Sequence, residues 1–111
     1  MIASCSIIVR KPLANEAATL GIRAAWAMFT NASIEVKLIL MSDGVYSILG
    51  KAGYVSNLFK RFLQEGGEIY AVREDLAARG IDDASLPEGV TILEGDKVFD
   101  VLEETESVMT F

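Results

Sequence analysis

Three places in this chain carry side chains able to do chemistry. Cys5 is the only thiol, Asp43-Gly44 offers a carboxylate beside a glycine, and Arg73-Glu74-Asp75 sets a guanidinium before two carboxylates. Histidine is absent, which removes the commonest proton shuttle and metal ligand. A single cysteine allows neither an internal disulfide nor a thiolate metal cluster. The residue types therefore point to no metal and no bound cofactor.

Arg73-Glu74-Asp75 stands at the most informative place. Glu68 to Val72 reads as a strand that passes almost without a loop into a short helix stopping at Gly80. Such a junction lies at the carboxyl end of a sheet, where open α/β sheets hold their ligands. A helix start supplies unpaired N–H groups and partial positive charge, and it acidifies a thiol placed there. Val72 occupies that place instead. Arg73 offers an anion a cation, while Glu74 and Asp75 are what any first helical turn prefers. Asp43-Gly44 follows the second strand. The pair either lines a pocket shared with Val72 and Arg73 or serves as an ordinary cap and turn. Cys5 is either a reactive thiol that carries sulfur or a small apolar residue inside a strand. Its mid-strand place favours the second.

The elements that position these residues alternate. Ala3 to Val9 reads as a strand. Asn15 caps a helix reaching about Phe29, and Ile34 to Met41 is the second strand. Val45 to Leu49 reads as a short helix interrupted around Gly50 and Gly53. A longer helix from about Tyr54 to Glu65 turns Val55, Leu58, Phe59, Phe62 and Leu63 inward, and Gly66-Gly67 closes it. After the Glu68–Val72 junction, Asp82 to Gly89 is a polar loop. Val90 to Leu93 is strand four, Asp96 caps a last helix that frays at Glu103-Glu104, and Ser107 to Phe111 is the final strand. This order predicts one α/β domain over residues 1–111, a three-layer α/β/α sandwich on a five-stranded, mainly parallel sheet. The place of the last strand in the sheet is left open.

Composition narrows the partners. The 111 residues carry 10 basic and 16 acidic side chains, a net charge of −6, and no basic cluster beyond a pair. Nucleic acid is thus a poor partner. No apolar run approaches the roughly 18 residues a membrane span needs, and no signal segment is visible, so a cytoplasmic protein is expected. Mean hydropathy is nonetheless high, at +0.35. On the first helix Ala18, Ile22, Ala25 and Phe29 share one face, and Leu20, Ala24 and Ala27 lie nearly opposite. One sheet face cannot cover both, so Leu20, Ala24 and Ala27 are expected at a subunit interface.

Several stretches together resemble the DsrE/DsrF family of the DsrEFH and TusBCD sulfur-relay proteins. They are Arg10-Lys-Pro12 with Glu16-Ala-Ala-Thr-Leu-Gly-Ile-Arg23, Met41-Ser-Asp-Gly-Val45, and Gly67-Glu-Ile-Tyr-Ala-Val72 with Leu76-Ala-Ala-Arg-Gly-Ile81. Their order and spacing span nearly the whole chain. The resemblance implies assembly into trimers, hexamers or hetero-oligomers. It also implies a persulfide-bearing cysteine, in DsrE and TusD-like members, at or next to the position of Val72. Lacking it, this chain is similar to DsrF or TusC-like subunits, which accompany a cysteine-bearing partner. The function so implied is a non-catalytic subunit in sulfur relay. Two alternatives stand beside it: an oligomeric small-molecule or anion binder using Asp43, Gly44, Val72 and Arg73, and a sulfurtransferase using Cys5.

Overall fold

The computed structural model describes residues 3–12, 15–31, 33–49 and 54–111, with the side chains of residues 54 and 55 left aside. Gly50, Gly53 and the side chain of Val55 therefore lie outside the described residues. The order is β1 (Ser4–Val9), α1 (Glu16–Asn31), β2 (Glu35–Leu40), a 3₁₀ helix (Ser42–Leu49), α2 (Tyr54–Gln64), β3 (Glu68–Val72), α3 (Arg73–Ala78), β4 (Thr91–Leu93), α4 (Val98–Glu103) and β5 (Ser107–Thr110). Asn15 caps α1, its Oδ1 accepting from the Ala17 N–H at 2.8 Å. Gly66 ends α2 at φ 98°, a conformation that suits glycine. The loop from Asp82 contains one further 3₁₀ turn, Asp83–Ser85, capped by the Asp82 side chain.

All five strands are parallel, in the order β4-β3-β2-β1-β5. This order explains the layers. The steps β1 to β2, β2 to β3 and β3 to β4 all run in one direction. Right-handed crossovers then put α1, α2 and α3 on the same face. The return from β4 to β5, on the far side of β1, puts α4 on the other face. The first face packs Cys5, Ile7, Val36, Leu38, Leu40 and Ile69 against Ile22 and Ala25 of α1 and Leu58, Phe59 and Phe62 of α2. Among the described residues the second face has only one helix, the six-residue α4, to cover it. There Ile8, Ile39, Val72 and Leu93 meet Val98 and Val101.

Beyond the reach of α4 the second face turns polar. Lys37 is 5% exposed, and its Nζ pairs with Glu104 just past α4 and lies 3.8 Å from Glu68. Ser6 Oγ and Thr105 Oγ1 hydrogen-bond at 2.7 Å beside it. Burial opposes the charge on Lys37, but the hydrogen bond to Glu104 and the fields of Glu68, Tyr70 and Glu104 outweigh it and hold the ammonium above its ordinary pKa. Glu104 thus becomes an anchor, where its place at a helix carboxyl end had suggested fraying.

Gly44 shows how tightly the carboxyl edge is built. A Cβ on it would stand 2.0 Å from the carbonyl oxygen of Val9. We therefore expect Gly44→Ala to cost stability by about 1–3 kcal/mol or more, because the obstructing atom is backbone of a central strand. Denaturant titration checks this, and an unchanged midpoint would refute the contact.

Candidate functional site

The carboxyl ends of β1 to β4 form a rim. Its loops are held by α3, whose side chains reach both ways. The 3₁₀ helix after β2 opens with a backbone N–H at Ser42, and Asp75 accepts it through Oδ2 at 2.8 Å. The turn after β4 opens at Gly95, whose N–H is shared by the two carboxylate oxygens of Glu74 at 2.9 and 3.1 Å. Asp96 does not cap that turn. Its entry residue is Glu94, which makes no side-chain cap, and Glu74 serves from 21 positions upstream.

The two arginines complete the lattice. Arg73 donates from Nε to Glu94 at 2.6 Å and lies 3.5 Å from Asp83. The hydrogen bond to Glu94 is the main reason its guanidinium titrates above its ordinary value. Arg79 donates from Nε and Nη2 to Asp43 Oδ1 at 3.0 and 2.9 Å, and from Nη1 to the Asp75 carbonyl at 3.0 Å. Its guanidinium carbon stands 5.9 Å from the centre of the Tyr46 ring.

The four residues expected to share a pocket are distributed as follows. Asp43 is exposed and held by Arg79 on the β2 side. Gly44 is buried against Val9. Arg73 turns to the β4 side, so β3 lies between it and Asp43. Val72, 4% exposed, points away from the rim into the cluster with Ile8, Ile39 and Val98. The residue that binds Asp43 is Arg79, whose only sequence signal was a cation beside the helix-ending Gly80. A cavity of ≈ 530 Å³ lies apart from the rim, between α2 and the loop before β4, and none of these four residues lines it.

Cys5 faces the α1 and α2 side, fully buried, its Sγ 3.6 Å from the Ser6 carbonyl oxygen. Burial raises its pKa, only partly offset by a hydrogen bond to Ser107. A thiol so placed is protonated and shielded. Among the described residues no group of three or more His, Cys, Asp or Glu could hold a metal ion. None of the described helices is long and apolar enough to cross a membrane.

A parallel α/β sandwich of this order with a capped carboxyl rim has known relatives. The family model described as "DsrH like protein" matches residues 24–108, and the chain belongs to the DsrH-like family. The match begins within α1, leaving β1 and Cys5 outside it. The fold is similar to that of the ychN protein from E. coli, at TM-score 0.83 and 21% identity over 100% of both chains. It is also similar to MTH1491 from Methanobacterium thermoautotrophicum, at 0.76 and 20% over 96% of this chain and 97% of that one. BT1422 from Bacteroides thetaiotaomicron gives 0.79 and 15% over 98% and 95%. No curated protein matches the chain. The relay family expected from the sequence is thus the family found, through its DsrH member.

The surroundings of Cys5 lead to a pH dependence. Because folding raises its pKa, the thiol's contribution to stability is complete below the unfolded value of about 8.5 and is lost as pH rises through the higher folded value. Native protein at neutral pH should react with a thiol reagent far more slowly than unfolded protein. Cys5→Ala should flatten the first part of the alkaline loss of stability. Equal labelling rates in both states would remove the shielded thiol.

Proposed function

We propose that this chain is a non-catalytic, oligomeric subunit of an intracellular sulfur-relay system of the sulfur-oxidation or tRNA-thiolation type, working in the cytoplasm. The DsrH-like family is associated with sulfur relay, and its members take part in multi-subunit complexes. The observation that carries the proposal is the fate of the two sulfur positions. The chain's own thiol is sealed inside the sheet, and the strand-three junction holds Val72 with its side chain turned inward. A transferable sulfur must then ride on another subunit, as in the DsrF or TusC-like manner. This chain then forms either a homo-oligomer, a trimer or hexamer, or a hetero-oligomer with a cysteine-bearing DsrE or TusD-like subunit.

The docking face proposed for these contacts lies along α1. Leu20 is 56% exposed, Ala27 is exposed and Ala24 is half-buried against the core edge. Small residues there let a second backbone approach closely, and burying a leucine-sized side chain is worth roughly 1.5–3 kcal/mol.

Sedimentation velocity at micromolar concentration tests assembly, first alone and then with a cysteine-bearing DsrE-like subunit. An oligomer or a mixed complex is expected. Leu20→Glu should weaken it by about ten- to a hundredfold, with an unchanged circular dichroism spectrum. A monomer under both conditions would sink the assembly proposal. A persulfide found on Cys5 of the native protein by mass spectrometry would overturn the non-catalytic role.

A further inference from the structure

The ≈ 530 Å³ cavity has a size typical of small-molecule sites, roughly 300–1,000 Å³. One wall is α2. Ser56, Lys60 and Gln64 recur there at every fourth position and so lie one above another along the helix. Phe59 and Leu63, beside that stripe, supply apolar floor together with Ile48 from the end of the 3₁₀ helix. The opposite wall is the segment before β4, where Leu86 and Val90 face the cavity and add to the apolar lining. The site is therefore a hydrophobic trough with a polar stripe on one side and a cation at the middle of that stripe.

Lys60 has no carboxylate within ion-pairing distance among the described residues. Its apolar stem can lie on the floor while its ammonium reaches the opening. Ser56 and Gln64, one turn to either side, add neutral hydrogen-bonding groups. Among the described residues Glu88 is the one carboxylate lining the cavity. It stands on the exposed Pro87-Glu88-Gly89 turn, which adjoins Leu63 of α2, and makes no ion pair with Lys60.

We infer that this cavity binds a small amphipathic anion. The apolar body, an acyl chain or a ring, rests on Ile48, Phe59, Leu63 and Val90, and one carboxylate or sulfonate meets Lys60. None of Asp43, Gly44, Val72 and Arg73, and no residue of the exposed α1 face, takes part, so the site stands independently of the relay proposal.

The test uses the native full chain and 8-anilinonaphthalene-1-sulfonate, an aromatic body with one anionic group. Titration should give a single saturable fluorescence increase. Decanoate should displace the dye, and decylamine at the same concentration should not. Lys60→Gln, a change at an exposed side chain, should weaken dye binding by about three- to tenfold, with the circular dichroism spectrum unchanged. Glu88→Gln should leave it equal or tighter. Absence of saturable binding overturns the inference, as does equal displacement by decylamine. Dye held on the α1 face around Leu20 would bind Lys60→Gln as it binds the parent, and that result overturns it too. So does a loss with Glu88→Gln matching the loss with Lys60→Gln.

Discussion

Two backbone N–H groups, at Ser42 and Gly95, must find acceptors once the strands before them have ended, and both find them on α3. An unpaired amide costs about 1–3 kcal/mol where water is excluded, a cost that bears on the part-buried bond at Ser42 and less on the exposed one at Gly95. α3 is only six residues long, yet Asp75 holds the loop on its β2 side and Glu74 the loop on its β4 side. Arg79 and Arg73 then tie Asp43 and Glu94, the acidic residues of those same loops. From β2 to β4 the carboxyl rim is thereby a set of mutual partners. Arg10 and Lys11, exposed at the end of β1, join no ion pair among the described residues.

The same economy separates framework from function. Families of parallel α/β proteins usually hold their chemistry where strands end and helices begin. Here that place is occupied by structural bonds and an inward valine. The open space lies at the β4 side, where α2 and the loop before β4 stand apart. The open apolar surface lies along α1.

Much of the fold was legible because its signals are local. Glu68–Val72 reads as a strand from its short apolar run, Ile69 to Val72, and the paired glycines before it. The capping Asn15 and the closing Gly66 act on backbone within two or three positions. The alternation of elements was enough for a parallel sheet, and handedness then dictates the layers. What escaped reading depends on distance. Asp96 has a capping side chain, but the turn starts before it at Gly95, and the Gly95 amide is taken by Glu74, which arrives through the fold. Arg73 and Asp43 look like lining of one pocket by their positions after neighbouring strands, yet β3 parts them, and Arg79, six residues further on, is the one that reaches Asp43. Lys37 sits in an otherwise apolar run, a visible interruption. Its meaning required knowing that α4 is too short to cover that face and that Glu104 would lie above it.

β5 pairs with β1 across the separation of a hundred or so residues, the Ala3 N–H reaching Glu106 from 103 positions away. Every other neighbour of the sheet follows its predecessor through a single crossover. Chain closure over so long a loop is entropically dear and comes late in folding. Three of the four β5 residues are exposed and its outer edge meets no strand among the described residues. It is fastened by its ladder to β1, by the Phe111 ring lying over Gly21 of α1, and by the Lys37–Glu104 pair just upstream. The sheet therefore has an unequal durability: β1, β2 and β3 form a lasting centre, and the two edge strands, the short β4 and the largely exposed β5, are the ones that amide exchange would find opening first.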